Sequence, residues 1–386
     1  MKTEQPDFKP VYILGAGASK MLGAPLVNDF LTRALELRFS PNFRQGYPLH
    51  IEQKFDDIFR YQRELYSTRK YLGIDLDNIE TLFSILDMDW ATEKVNERTS
   101  EEKELTRYEK LHLLRDSFFT IIIETLNTSI STSGQMWEYY RQLIRTLAAP
   151  QESCFITFNY DTSIEKALSY SDNHPDDLAY SAKIGTSKNE LVRQPQDRFV
   201  LKLHGSVDWT YCQECKKFTI QNKGILPCEF DSHRHFIHYT DTKTNCSQNQ
   251  SKVLNVLIPP TWNKLNYTDE ITNIWYHSIK EISCATHLLI IGYSFPRTDV
   301  FFDQLLTLGL RDNKVLKQVA VINPDQVLST SLDSFFDKHF NKSKVTFIPA
   351  SFQLFRDCNI GNQISSKKHL ENSLNYFSEA IKKGLF

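Results

Sequence analysis

The sequence predicts an α/β protein: a doubly wound, mostly parallel sheet with a large α-helical insertion and a small cysteine-containing module. Three observations lead there. Short apolar, β-branched runs recur, continuous rather than alternating, as in parallel strands covered on both faces. Helical patterns separate several of them, the signature of a wound sheet. Two intervals break this rhythm, one helical and one polar and rich in cysteine.

The strand candidates, in order, are "VYILGAG" (11–17), "CFITFNY" (154–160), "FVLKLHG" (199–205), "VLNVLIPP" (253–260), "HLLIIGYS" (287–294), "KQVAVINPD" (317–325) and "KVTFIPA" (344–350). From 40 to 150 strand signal is nearly absent. There "IETLFSILDMDW", "LHLLRDSFFTIIIETL" and "MWEYYRQLIRTL" place apolar residues at helical spacing, which predicts a helical insertion packed against the sheet. Residues 206–252 read as a loop-dominated, cysteine-rich module. The amphipathic "HLENSLNYFSEAIKKGLF" reads as a closing helix. With no internal repeat, low-complexity tract or Pro/Gly tether, a single elaborated domain over 1–386 is expected.

Composition narrows the function classes. Hydrophobic residues make up 41% and aromatics 12%, enough for a sizeable core, and the formal net charge is -2. A strongly basic footprint is missing, so direct nucleic-acid binding is not expected. The polar start "MKTEQPDFKP" lacks the apolar core of a signal peptide, and no apolar run approaches the roughly 20 residues of a membrane span. A cytoplasmic protein is expected. Of the 7 cysteines, Cys212, Cys215, Cys228 and Cys246 crowd together, which suits a local metal knuckle in a reducing compartment better than a disulfide framework.

The first strand runs into "ILGAGASK". Gly15 and Gly17 allow a sharp turn and close approach to a ligand, and a helical pattern from near Pro25 would offer its N-terminus to a phosphate. The next glycine is Gly23, so the GxGxxG dinucleotide fingerprint is not met, and no GxxxxGK[ST] loop exists. The plainer use of the element is a glycine turn without ligand.

In open α/β sheets, ligands bind beyond the carboxyl ends of the strands. Five predicted strands end in small or hydrogen-bonding groups: Gly15-Ala16-Gly17, Asn159 with Asp161, His204-Gly205-Ser206, Gly292-Tyr293-Ser294 and Asn323-Pro324-Asp325. Each also has a plainer use. Asp161 can cap the following helix, although Thr162 and Glu165 have the spacing of a capping box that would release it. Asn159 can bond its own loop, and His204 can be a satisfied core histidine. An imidazole facing an amide across a nucleotide pocket nevertheless suits one chemistry. The histidine can bond or deprotonate a ribose hydroxyl while the amide holds a water at the sugar carbon, as an N-glycosidic bond breaks.

In order along the chain stand "GAGAS" (15–19), "TFNYD" (157–161), "LHGSVDW" (203–209) beside a CxxC, "IPPTWNK" (258–264), "IGYSFPRTDVFF" (291–302) and "VINPD" (321–325). As an ordered set they resemble the SIR2-like proteins, the divergent bacterial branch of the sirtuin superfamily, over residues 11 to 350. The resemblance implies a Rossmann-like NAD-binding domain with inserted helices and, often, a zinc module. It implies that Gly15, Ala16, Gly17, Ala18 and Ser19 contact the NAD phosphates and that Asn159 and His204 form the catalytic pair. Asp161 would lie beside the nicotinamide ribose, and Gly292, Ser294 and Asn323 would line the adenosine side.

The match is partial in two places. Deacetylating sirtuins carry a GIPDFR-type loop after the glycine turn, where this chain reads "GAPLVNDFL", and "GYSFPRTD" replaces their GTS motif. The expected activity is therefore hydrolysis of NAD+ to nicotinamide and ADP-ribose, as in relatives that deplete NAD+ in anti-phage defence. The alternatives are an NAD-dependent protein deacylase or ADP-ribosyl transferase, and a module that senses NAD+ or ADP-ribose without turnover. An ungated NADase would kill its host, so self-assembly or a separate ATPase- or Argonaute-type regulatory protein is expected. For the metal, Cys212 and Cys215 form half a zinc site. The other half reads "CSQN", with Asn249 where a second cysteine would stand beside Cys246, leaving Cys228, His233 or His235 as a fourth ligand. A structural zinc and a degenerate knuckle without metal both remain open.

Overall fold

A computed structural model of the 386-residue chain describes residues 9–96, 106–148, 153–168, 179–180, 199–212, 218–220, 253–258, 269–295, 300–325, 328, 345–349 and 351. The closing helix expected near the C-terminus, most of the 206–252 module and most of "IPPTWNK" lie outside these residues.

Seven strands form one parallel sheet: β1 (Pro10–Leu14), β2 (Cys154–Thr157), β3 (Ala179–Tyr180), β4 (Phe199–Lys202), β8 (His287–Ile291), β9 (Gln318–Ile322) and β10 (Val345–Ile348). Their order is β10-β9-β8-β1-β2-β4-β3, and every pairing is parallel. Setting aside the two-residue edge strand β3, the order across the sheet is third, second, first, fourth, fifth, sixth in chain order, the Rossmann-like arrangement. Residues of β1, β2, β4 and β8 are buried without alternation, because both faces of a parallel sheet are covered. In the core, Tyr12 of β1 stacks on Phe155 of β2, with ring centroids 5.1 Å apart. Burial holds the Tyr12 phenol far above its ordinary pKa.

The chain divides into two compact units. The first, residues 1–23, 131–206 and 267–386, contains the parallel sheet with α6 (Gly134–Leu147), α7 (Ser163–Leu168), α8 (Asp269–Ser283) and α9 (Val300–Arg311). The second, 24–130 and 207–266, contains α1 (Phe30–Phe39), α2 (Pro41–Gly46), α3 (Leu49–Leu72), α4 (Ile79–Asn96) and α5 (Arg107–Ser129). There Phe83 of α4 meets Phe118 of α5 edge-on at 4.6 Å. Arg115 lies over the Trp90 ring and pairs with the buried Asp87 at 2.9 Å. Thr106 and Glu109 close a capping box that starts α5.

One strand expectation is corrected. "VLNVLIPP" does not join the parallel sheet. As β7 (Val253–Leu257) it belongs to a three-stranded sheet of order β6-β5-β7, with β5 (Gly205–Cys212) antiparallel to β6 (Phe218–Ile220). A continuous apolar run reports burial, and burial does not specify the ladder a strand joins. The ends of the predicted strands also run past the last paired residue. Phe158 and Leu203 are still buried, although β2 stops at Thr157 and β4 at Lys202.

Candidate functional site

Strands β1 and β8 are neighbours at the centre of the sheet, and the chain order runs outward from them in opposite directions. That makes their carboxyl ends the topological switch point, the place where open α/β sheets bind ligands. The two loops interlock. The Gly15 N–H donates to Ile291 O at 3.0 Å, and the Gly17 N–H donates to Gly292 O at 2.9 Å. Gly292 sits at φ +62°, and a Cβ there would lie 2.5 Å from the Ala18 nitrogen. A Cβ on Gly15 would lie 2.6 Å from Gly292 O, and one on Gly17 2.8 Å from the Gly292 Cα. Glycine at all three positions lets backbone pack on backbone.

The helix expected near Pro25 starts later. Two short 3₁₀ turns, Ala16–Ala18 around Gly17 and Lys20–Leu22, follow Gly15 and end at Gly23, and α1 begins at Phe30. The N–H groups of Ala18 and Ser19 close the first turn on Gly15 O and Ala16 O. With those of Gly15 and Gly17 given to the β8 loop, this turn is shaped by internal bonds rather than by a helix N-terminus aimed at phosphate.

Asn159 follows β2 by two residues and is fixed from several sides. Its backbone N–H donates to Thr157 Oγ1 at 3.1 Å, while that hydroxyl donates to Leu14 O. Its Nδ2 donates to Gly15 O at 3.0 Å and to Ser19 Oγ at 3.3 Å. Both amide hydrogens are therefore committed to the glycine turn, and Oδ1 is the atom left to accept from a ligand or water. The residue is only 9% exposed.

His204 follows β4 by the same two residues. Because Thr157 pairs with Lys202 in register, the two side chains leave neighbouring strands at the same level. The Leu203 N–H extends that pairing to Thr157 O at 3.0 Å. His204 is 4% exposed and meets Phe158 edge-on, with ring centroids 5.0 Å apart, and Tyr160 at 6.2 Å. The Trp275 indole of α8 donates to Leu203 O at 3.2 Å, bracing the strand end from behind. Gly205, at φ +80°, turns the chain sharply away.

The remaining predicted residues divide. Asp161 is buried, and its Oδ1 accepts from the Ser163 N–H at 2.9 Å at the start of α7, so the carboxylate does cap that helix. Glu165 is drawn instead to Lys202, 2.9 Å away, because a buried ammonium demands a counter-charge. Asn323 donates from Nδ2 to Tyr293 O at 2.8 Å and accepts from the Asp325 N–H at 2.9 Å, which ties the β9 loop to the β8 loop. Ser294 is exposed beside them. Tyr293, Phe295 and Phe302 pack together with Phe158, so an aromatic wall backs the β2 and β8 loops. Cys215, Cys228 and Cys246, with His233 and His235, lie outside the described residues, and of Cys212 only its backbone in β5 is described. Among the described residues, no group of three or more His, Cys, Asp or Glu side chains is placed to hold a metal ion.

Residues that the motifs do not mark complete the site. Tyr140 of α6 is fully buried, with Ser19, Asp161 and Glu165 as electrostatic neighbours. Burial first, and then the two carboxylates, hold its phenol well above the ordinary range, so it stays protonated. Lys202 carries the signal that could have been read: a lysine inside an otherwise apolar strand, "FVLKL".

The sequence model of the SIR2-like domain matches residues 153–348, which takes in the Asn159, His204, Gly292 and Asn323 strand ends and spans about half the chain. The chain belongs to the SIR2-like domain family. Membership implies NAD+-dependent activity. The match begins after the glycine turn, so β1 and its loop enter the site through the fold.

Similar solved structures include a Sir2 homologue in complex with NAD, at 12% identity over 95% of this chain and 90% of that one, with a TM-score of 0.42. A Sir2 homologue mutant in complex with ADP-ribose is 12% identical over 95% and 93%, with a TM-score of 0.43. A Sir2 bound to acetylated peptide is 12% identical over 93% and 94%, with a TM-score of 0.37. No curated protein matches the chain. Among the described residues, no helix is long and apolar enough to cross a membrane.

Proposed function

We propose that the protein hydrolyses NAD+, adding water across the nicotinamide–ribose bond to release nicotinamide, ADP-ribose and a proton. The observation that carries this reading is the commitment of both Asn159 amide hydrogens to Gly15 O and Ser19 Oγ. Its Oδ1 is thereby presented as an acceptor at the same level as His204. An acceptor of that kind orients an attacking water at the ribose C1′ as oxocarbenium-like charge develops. His204 bonds a ribose hydroxyl, or takes its proton, as the glycosidic bond lengthens. Gly15 to Ser19 would lie against the phosphates, Asp161 near the nicotinamide ribose, and Gly292, Ser294 and Asn323 toward the adenosine.

The departures from the deacetylase loops favour water over an acyl-lysine as acceptor. A cytoplasmic NADase of this kind fits a defence role by NAD+ depletion. Its activity would be gated by self-assembly or by a separate regulatory protein, and a fully active monomer on size exclusion would sink that part. A structural zinc on Cys212, Cys215, Cys228 and Cys246 is checked by metal analysis of the purified protein; metal-free protein of unchanged stability would dismiss it.

The central test is NAD+ consumption by wild type, Asn159→Ala and His204→Ala, with products resolved by chromatography. Nicotinamide and ADP-ribose from wild type alone is the expected result. Undiminished turnover by either variant rules out the pair. Binding without turnover, in the presence of any activating partner, would favour the sensing reading.

A further inference from the structure

Lys202 is fully buried, yet it stands on β4 two residues before His204. A buried ammonium persists only where its three hydrogens find acceptors. Here the acceptors are Glu165 Oε1 at 2.9 Å, Tyr160 O at 3.4 Å and Asp161 O. Two of the three are backbone carbonyls of the segment that directly follows Asn159. On the other side of His204, also two residues away, the Ser206 hydroxyl donates to the same Tyr160 O at 3.2 Å. The side chains flanking His204 at both sides thus grip one peptide segment, Tyr160–Asp161. Glu165, from the first turn of α7, balances the charge and completes the grip.

We infer that Lys202, Glu165 and Ser206 are positioning residues, a two-point staple that sets Asn159 at a fixed distance and angle from His204. Neither proposed catalytic side chain need touch the other. Their relation is carried by the backbone between them, which strand pairing leaves after Thr157 and Lys202, where the ladder of β2 and β4 ends. The inference rests on the hydrolase reading of that pair, and it adds Lys202 and Glu165, which the family motifs do not mark, and gives a role to Ser206 within "LHGSVDW". A merely structural ion pair would behave differently. Replacing both partners of such a pair by apolar residues of similar volume is often neutral for stability. It would therefore leave turnover untouched if the pair did nothing but fill and stabilise.

The decisive variant is Lys202→Met/Glu165→Met, which removes the charges together and leaves neither buried alone. The expected result is cooperative unfolding near the wild-type midpoint, and NAD+ affinity within about threefold of wild type. Turnover should fall by about 10–100-fold, the cost of misplacing a reacting group by about an ångström. Amide hydrogen exchange at Asn159–Thr162 should rise while β1 and β9 stay protected. Turnover within about twofold of wild type, with unchanged exchange in that segment, would overturn the staple. Ser206→Ala, a smaller perturbation of the second grip, guards against a double variant that fails to fold. Its turnover should fall by about threefold at unchanged affinity, and wild-type turnover would count against the inference. If wild type yields no nicotinamide even with its activating partner present, the hydrolase reading fails by itself. The exchange experiment then still decides the staple, since loosening of Asn159–Thr162 upholds it and equal protection overturns it.

Discussion

Substituting Gly292 by alanine tests the architecture of the switch point directly. The residue sits at φ +62°, a conformation that costs an L-residue about 1–2 kcal/mol. The added methyl would also lie 2.5 Å from the Ala18 nitrogen, 2.6 Å from the Gly17 carbonyl carbon and 2.8 Å from the Gly17 Cα. All three neighbours are backbone atoms, so relief requires the 15–19 turn to move, and overpacking of this kind costs about 1–3 kcal/mol. Together the two effects predict a loss of about 2–5 kcal/mol in urea unfolding. Because the same turn supplies Gly15 O and Ser19 Oγ to the Asn159 amide, NAD+ binding and turnover should fall as well. Gly309→Ala is the control. It too crowds a packed site, the Ile282 side chain 2.6 Å away between α8 and α9, but away from the glycine turn. It should lower stability while leaving NAD+ affinity intact in the folded protein. Wild-type stability and wild-type NAD+ affinity in Gly292→Ala would refute the interlocked-loop argument.

Other outcomes follow from the same structure. Ser19→Ala removes one of the two acceptors of Asn159 Nδ2, and the loss of about 1 kcal/mol should lower kcat roughly fivefold with little change in the fold, read by steady-state kinetics. Arg115→Met removes the ion pair of the buried Asp87 and should cost up to about 3–5 kcal/mol in chemical denaturation, most of it recovered in Arg115→Met/Asp87→Leu. Burial lowers the pKa of His277 in α8 against the opposing pull of Glu281. The unfolded chain therefore takes up that proton first, and stability should fall as pH drops through about 6.5 toward the lower folded value. His277→Gln should flatten this part of the stability-pH profile, and an unchanged slope would exclude His277 as its source.

The residues that read clearly in the sequence are those whose signal is local. Continuous runs such as "VYIL" and "HLLII" announce strands buried on both sides before any partner is known, and helical patterns between such runs point to a parallel sheet. Glycines and polar groups at strand ends are legible for the same reason, since they stand where an apolar strand stops. The helical spacing of the 40–150 interval likewise needed no tertiary information. Asp161 was harder, because a strand-end carboxylate can equally cap a helix, and the capping-box spacing of Thr162 and Glu165 pointed away from what it does.

What the sequence determined by itself was thus the class of the fold, the strand ends that carry polar chemistry, and the ordered motifs of the family. Tertiary structure decided the rest. It sent "VLNVL" to a second sheet, delayed the helix after the glycine turn to Phe30, and matched Gly292 against Gly17 across hundreds of residues of chain. It also gave Glu165 to Lys202 rather than to a capping box. Pattern and propensity depend on a residue and its near neighbours. Strand partners, close backbone approaches and the counter-charge of a buried lysine depend on atoms brought together by folding, and no local window contains them.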